Sequence, residues 1–342
     1  MNRKNLNAKT KIPKLLDNKL KNRRINQIYK KFEKSLDINE NFIVAVSGGP
    51  DSLALSFLSK IYSIKKNLKV KFFIVDHKLR TDSTKEARLV KNVLKKNSIN
   101  SQILTLKGKK IIGNIQSLAR QKRYEFLFAK CKEFKINHVL LGHHLDDLLE
   151  NFFIRLIRGS GLRGLISLDK KSKKDSINLH RPLLDQRKND LIFLSNKVFN
   201  FYINDPSNEE EKFLRIKIRK LIYNLKKEGL DKDKLTMTIN NLKTSNNVIN
   251  FYVSKNLEKN TFFSIKKDQL ILNREFFQQP YEVVFRALSD SIKFVGKKYY
   301  SARGKKLDRI IVDIGNDSTY KTTLGGCVIE KVNQTVIISK EH

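Results

Sequence analysis

Phe42-Ile43-Val44-Ala45-Val46-Ser47-Gly48-Gly49-Pro50-Asp51-Ser52 joins an apolar run to a glycine turn. Leu53, Leu55, Phe57, Leu58, Ile61 and Ile64 follow at roughly helical spacing. Strand, glycine turn, helix is the layout of an anion site. Glycines let the backbone pass close to a phosphate, and the free N–H groups of the helix N-terminus point at it. Ser47 and Ser52 can add hydroxyl donors. The Asp51 carboxylate would repel a phosphate unless Mg²⁺ sat between their oxygens. No Gly-Lys-Ser/Thr follows, so this is not a Walker A loop, and the spacing of a dinucleotide fingerprint is missing too.

Outward from this loop, strands alternate with helices. Val70–Val75 reads as a strand ending at Asp76-His77, followed by a helix from about Thr84 to Lys96. Gln102–Leu106 is a third strand, Asn114–Phe134 a long helix, and His138–Gly142 a fourth strand. The polar stretch Lys170–Ser176 reads as loop, His180–Asp185 as another strand and Lys188–Phe199 as a helix. This alternation predicts an α/β fold with a doubly wound, mostly parallel sheet. Such sheets bind ligands off the carboxyl ends of their strands. Ser47–Ser52, Asp76-His77 and Gly142-His143-His144 all follow strand ends, and that shared rim argues for a nucleotide site.

The helix after His144 opens with acids. Asp147 and Glu150 are three apart and Asp146 and Glu150 four apart, so the three can share a face. The plainer reading is an ordinary macrodipole preference for acids in a first turn. Leu149, Phe153, Leu156 and Ile157 read as that helix's core stripe. Adjacent histidines at a helix start point in different directions, which argues against zinc. Beyond the helix, Arg155, Arg158 and Arg163 flank glycines, as suits an exposed loop that meets a phosphate backbone.

Composition sets the wider frame. The 342 residues carry a net charge of +36, with 70 Lys and Arg against 34 Asp and Glu. Lysine drift alone would not produce the acid deficit, so phosphate-rich partners are favoured. Cys131 and Cys327 are the two cysteines, too far apart in sequence for a redox or metal pair. That usage fits a reducing cytoplasm. No apolar run approaches the roughly 18 residues of a membrane span. Three regions are expected: a basic lead-in at 1–40, a catalytic domain at 41–225, and a helical linker with a small α+β domain at 226–342. In the lead-in, Leu15, Leu16, Leu20, Ile25, Ile28, Tyr29 and Phe32 form an apolar stripe suited either to packing on the first domain or to a frayed, solvated helix or RNA-contacting arm. In the last region Leu230–Phe251, Pro280–Phe294 and Leu307–Val312 read as helical, and residues 322–330 with 335–339 as a terminal hairpin.

Ser-Gly-Gly-x-Asp-Ser resembles the pyrophosphate-binding loop of the ATP pyrophosphatases. Several further motifs occur with it: Asp76-His77-Lys78-Leu79-Arg80, Ala119-Arg120-Gln121-Lys122-Arg123-Tyr124, and His143-His144-Leu145-Asp146-Asp147 with Glu150. Arg158-Gly159-Ser160-Gly161, Arg181-Pro182-Leu183-Leu184 and Asp205-Pro206-Ser207-Asn208 follow, then Phe213–Arg219. Their order is that of the tRNA(Ile)-lysidine synthases, a resemblance dense from residue 42 to 225. Leu148, Asn151 and Ile216 depart from the family's pattern, each at a neutral polar position.

The resemblance implies an ATP-dependent ligase. The C2 oxygen of the wobble cytidine in a CAU-anticodon tRNA(Ile) attacks the α-phosphorus of ATP. The ε-amine of L-lysine then displaces AMP to give lysidine, which changes the codon read from AUG to AUA. It implies ATP contacts at Ser47, Gly48, Gly49, Pro50, Asp51, Ser52, Asp76, His77 and His143, with Mg²⁺ on Asp51. It implies catalytic roles for Asp51, Arg120, Arg123, Asp147 and Glu150, and lysine binding by Asp146, Asp147 and Glu150. Arg155, Arg158, Arg163, Arg215, Lys217 and Arg219 are the expected tRNA contacts. The expected location is the cytoplasm, with no membrane partner and a homodimer as an open option. Two other classes fit less well. A tRNA thiolase would need reactive cysteines, commonly as Cys-x-x-Cys, and a non-enzymatic RNA-binding protein would not need an intact Ser-Gly-Gly-x-Asp-Ser loop.

Overall fold

The structure, a computed structural model, describes residues 12–76, 78, 82–105, 115–204, 214–297, 304–317 and 319–341, with backbone alone for 115–117, 119 and 120. The chain divides into two compact units, Met1–Thr236 and Met237–His342.

Unit one begins with helices α1 (Lys14–Leu20) and α2 (Arg23–Ser35). Asn22 caps α2 by accepting from the Arg24 and Ile25 N–H groups. Ile25, Ile28, Tyr29 and Phe32 recur at helical spacing and are all buried. They join Leu16, Leu20, Phe57 and Tyr62 in one core, so the described part of the basic lead-in is packed into this unit. Leu15 alone of the expected stripe is exposed.

The α/β succession follows: β1 (Phe42–Val46), α3 (Pro50–Lys65), β2 (Val70–Asp76), α4 (Ser83–Lys96), β3 (Ser101–Thr105), α5 (Ile115–Phe134), β4 (His138–Leu140), α6 (Leu145–Ile157), α7 (Leu162–Leu165), β5 (Lys171–Lys174), β6 (Ile177–His180), α8 (Lys188–Phe199), α9 (Leu214–Lys227) and α10 (Lys232–Asn260). The sheet order is β3-β2-β1-β4-β6-β5. Every pair is parallel except β5–β6. Alternate side chains of β1 go to opposite faces. Phe42, Val44 and Val46 enter the core with α2, α3, α4 and α8, while Ile43 enters a second core with Leu127 and Cys131 of α5. Burial on both faces is why β1 reads as one unbroken apolar run.

The fold departs from expectation at the β5–β6 hairpin and on the face of α6. The strand expected over His180–Asp185 lies at Ile177–His180 and is paired with β5, inside the stretch read as loop. Pro182 has no N–H for a ladder, so the chain leaves the sheet before it and keeps only a bridge from Leu183 to His144. In α6, Leu149 and Phe153 are buried as expected, but Leu156 and Ile157 are exposed. Leu148 and Phe152 are the buried residues that complete its apolar face.

Unit two continues from α10 through β7 (Thr261–Ser264), β8 (Gln269–Leu272), α11 (Arg274–Phe277), α12 (Tyr281–Val295), α13 (Gly304–Asn316), β9 (Tyr320–Leu324), β10 (Cys327–Val332) and β11 (Thr335–Lys340). Its sheet is antiparallel, ordered β7-β8-β11-β10-β9, so the expected terminal hairpin is part of a five-stranded sheet. Gly325 and Gly326 both have positive φ in the β9–β10 turn, which only glycine adopts freely. The buried Arg286 of α12 donates to Asn246 and Asn250 of α10 and to Glu282, fastening the two helices together.

Candidate active site

Strand β1 has β2 on one side and β4 on the other, so the connections reverse direction between β1 and β4. Loops leaving neighbouring strands at such a reversal open into a crevice. The two loops here are Ser47–Gly49 and Leu141–His144.

The first loop is held by one hydroxyl. Ser52 Oγ accepts from the Ser47 and Gly48 N–H groups, at 3.1 and 3.0 Å, and donates to the Gly49 carbonyl at 3.0 Å. Ser52 thus spends its hydroxyl shaping the loop, while Ser47 Oγ lies 3.2 Å from it. Gly48 has φ of +89°, and a Cβ there would come within 2.6 Å of Val90 Cγ2. Pro50 opens α3 and no side chain caps the helix, leaving its first turn for an anion.

Asp51, in that first turn, has two differently placed oxygens. Oδ2 lies 3.4 Å from Lys188 Nζ and 3.5 Å from His144 Nε2. Oδ1 is buried with no hydrogen-bond partner among the described residues. A buried oxygen left in this state suits a hard cation that draws its other ligands from phosphate and water. Among the described residues no cluster of three His, Cys, Asp or Glu could hold a metal unaided.

Asp76 ends β2 with a carboxylate that accepts from the Lys78 N–H, Ser83 Oγ and Thr84 Oγ1 at 3.0, 2.9 and 2.7 Å. Burial works against its charge, yet these donors together hold it below the usual carboxylate range. The sequence marked it as an ATP contact, and it shapes the loop into α4. His77, Asp205–Asn208 and the side chain of Arg120 lie outside the described residues.

At the second loop His144 caps α6. Its Nδ1 accepts from the Asp146 N–H at 3.2 Å, and its own N–H donates to Asp147 Oδ2 at 3.0 Å. The lone pair is therefore on Nδ1, and in the neutral ring the proton sits on Nε2, facing Asp51 and Asp147. Burial opposes charge on Asp147, but the His144 and His143 imidazoles, the His144 N–H and Arg215 outweigh it, and its pKa is lowered. Glu150 is buried and receives Arg219 Nε on Oε1 at 2.6 Å, while Oε2 has no partner among the described residues. Asp146 is paired with Lys232 of α10.

The structure thus brings Ser47–Ser52, Asp76, His144, Asp147 and Glu150 onto the strand-end rim. Arg219 sits on Glu150, whereas Arg158, Arg163, Arg215 and Lys217 are exposed and Arg155 is half-buried. Arg123 is exposed on α5. Lys188 and Lys232 escaped sequence reading, since nothing local distinguishes them among 70 basic residues.

A PP-loop domain family matches residues 18–226. The tRNA(Ile)-lysidine synthase of Orientia tsutsugamushi (strain Boryong) is 34% identical over 319 residues, covering 89% of this chain and 70% of that one. The chain belongs to the tRNA(Ile)-lysidine synthases. The synthase of Wolbachia pipientis wMel is 32% identical over 312 residues, covering 89% and 71%. That of Rhodopseudomonas palustris (strain ATCC BAA-98 / CGA009) is 37% identical over 191 residues, 55% of each chain. Membership makes the chain a PP-loop, ATP-using ligase of tRNA modification.

Among solved structures, the U34-tRNA thiolase NcsA of Methanococcus maripaludis, with its [4Fe-4S] cluster, aligns with a TM-score of 0.56. It is 19% identical, with coverage of 64% of this chain and 78% of that one, and the likeness is one of fold. The two cysteines of this synthase-family chain are buried in separate cores, Cys131 beside β4 and Cys327 in unit two. Burial pushes the Cys131 thiol up to about 12, far from the reactive thiolate range.

Proposed function

We propose that this protein joins L-lysine to C2 of the wobble cytidine in a CAU-anticodon tRNA(Ile), consuming ATP and releasing AMP and pyrophosphate. The observation that carries the reading is the coupling of two sites through one residue. His144 caps the acid turn of α6 and faces Asp51 of the pyrophosphate loop at 3.5 Å. A loop for the leaving pyrophosphate and carboxylates for an amine are what the two half-reactions need side by side.

In this reading the Ser47–Gly49 backbone and the first turn of α3 receive the β- and γ-phosphates. Asp51 Oδ1 would hold Mg²⁺, which would neutralise charge on the departing pyrophosphate. The cytidine oxygen attacks the α-phosphorus, and the resulting adenylate activates C2. Asp147 and Glu150 hold the incoming ε-ammonium, and one of these carboxylates accepts its proton before attack. Asp147 keeps its negative charge at neutral pH, which suits ammonium binding. Arg120 and Arg123 are assigned to the phosphate charge, and Arg155, Arg158, Arg163, Arg215 and Lys217 to the tRNA backbone.

Incubation with ATP, Mg²⁺, labelled L-lysine and a CAU-anticodon tRNA(Ile) transcript tests the reading, with initiator and elongator methionine tRNAs as controls. Label on the isoleucine tRNA alone is expected. Pyrophosphate release without label would redirect the search to another nucleophile, and neither signal would overturn the enzymatic reading.

A further inference from the structure

Two of the three acids at the start of α6 already pair with a cation of the chain. Arg219 of α9 holds Glu150, and Lys232 at the start of α10 holds Asp146. Lys226, at the end of α9, lies against Lys232, and partial burial together with that neighbouring ammonium lowers its pKa. One carboxylate therefore faces two ammonium groups, an arrangement with a positive charge to spare.

These groups line a cleft of about 470 Å³ in unit one, together with Arg187, Lys188 and Asp233. Other charges in the cleft are engaged. Arg187 pairs with Asp233 at 2.6 Å, and Asp231 accepts from the Asp233 and Lys234 N–H groups. Lys188 reaches to within 3.4 Å of Asp51, so the cleft adjoins the pyrophosphate loop.

An α-amino acid carries an ammonium and a carboxylate on one carbon. A paired Asp and Lys is the complement of that head group. The ammonium replaces Lys232 on Asp146, and the released Lys232, with Lys226 beside it, meets the carboxylate. No charge is left without a counter-charge in the exchange, which keeps the cost of opening the pair low. Four residues along a helix span about 6 Å. That matches the stretch of a lysine side chain from its α-ammonium at Asp146 to its ε-amine at Glu150, where Oε2 waits buried and without a partner among the described residues.

We infer that Asp146, Lys232 and Lys226 form the receptor for the α-ammonium and α-carboxylate of the amino acid substrate, with Lys232 standing in for the substrate's ammonium when the site is free. Lys232 is then a specificity residue: it makes the enzyme demand an amino acid and reject a bare diamine. The inference rests on the lysine-ligating reading above.

The test uses the full chain, wild type and Lys232→Met, with labelled L-lysine and labelled cadaverine (the same diamine without a carboxylate) in the tRNA-labelling assay. In the wild type, cadaverine is expected to be the far poorer substrate. In Lys232→Met the KM for L-lysine should rise about tenfold, as for loss of one charge-assisted contact, while that for cadaverine should not. The loss should fall in KM rather than kcat, and Lys232→Arg should restore most of it. Lys226→Met, at a more exposed position, should shift the lysine-to-cadaverine ratio in the same direction and covers the case of a poorly folding Lys232→Met. A wild type that labels tRNA with lysine, with ratios unchanged in both variants, would overturn this inference alone. A wild type that transfers no lysine would overturn it together with the function on which it rests.

Discussion

Asp51 is the residue on which the proposed chemistry turns. One of its oxygens faces Lys188 and His144, and the other is buried without a partner among the described residues. Asp51→Ala is expected to abolish ATP-dependent pyrophosphate release while leaving tRNA affinity within about twofold, because the residues proposed as tRNA phosphate contacts lie elsewhere. Normal pyrophosphate release in the variant would sink the metal assignment. Away from the site, His180 is buried with Nε2 at 2.9 Å from His138 Nδ1. Burial first, then His138, Lys171 and Arg181, push its pKa down to about 4. Glu40, 3.4 Å from His138 Nε2, is the acid at the far end of this pair. His180 is thus favoured neutral in the fold, while in the unfolded chain it protonates near 6.5. Its contribution is fully present above about pH 6.5 and is lost as pH falls toward 4, by up to roughly 3 kcal/mol. Urea unfolding at intervals from about pH 7 to 4.5 should show this loss in the wild type and a flatter profile in His180→Leu.

Helix α9 divides a basic run between a buried acid and solvent. Ile216, Ile218 and Ile222 are buried, Arg219 turns to Glu150, and Arg215 and Lys217 are exposed. Arg219→Ala would leave the Glu150 carboxylate buried without its cation, so a loss of roughly 2–4 kcal/mol in folding free energy is expected. Removing Lys217 should leave stability within about 0.5 kcal/mol and flatten the log–log salt dependence of tRNA binding by about one unit. Equal stability losses in both variants would contradict this division. From sequence all three residues read alike, as tRNA contacts, because helical spacing does not say which neighbour a helix meets. The same gap explains β5 and β6. Lys171–Lys174 has no apolar residue to mark it, and its pairing with Ile177–His180 is legible only in the fold.

Across the whole chain, the net charge of +36 sits on a protein whose two units have separate cores. So large an excess predicts RNA binding dominated by counterion release. The affinity of the full chain for tRNA should fall about a thousandfold or more between roughly 50 and 200 mM salt. Filter binding over that range would show it, and a shallow slope would mean that stacking and hydrogen bonds dominate instead. What the sequence determined by itself was the order of strands and helices from β1 to α6, the loop at Ser47–Ser52 and the acid turn after His144. Periodicity, glycines and first-turn charges are local signals written over a few adjacent residues. Tertiary structure alone decided that residues 14–35 pack into the core of unit one and that Asp76 shapes a loop. It alone brought Lys188 to Asp51 and Lys232 to Asp146, from 137 and 86 residues away. Contacts at such separations depend on how layers stack, and in a chain this rich in lysine no local feature marks the few whose ammonium groups find a half-buried acid.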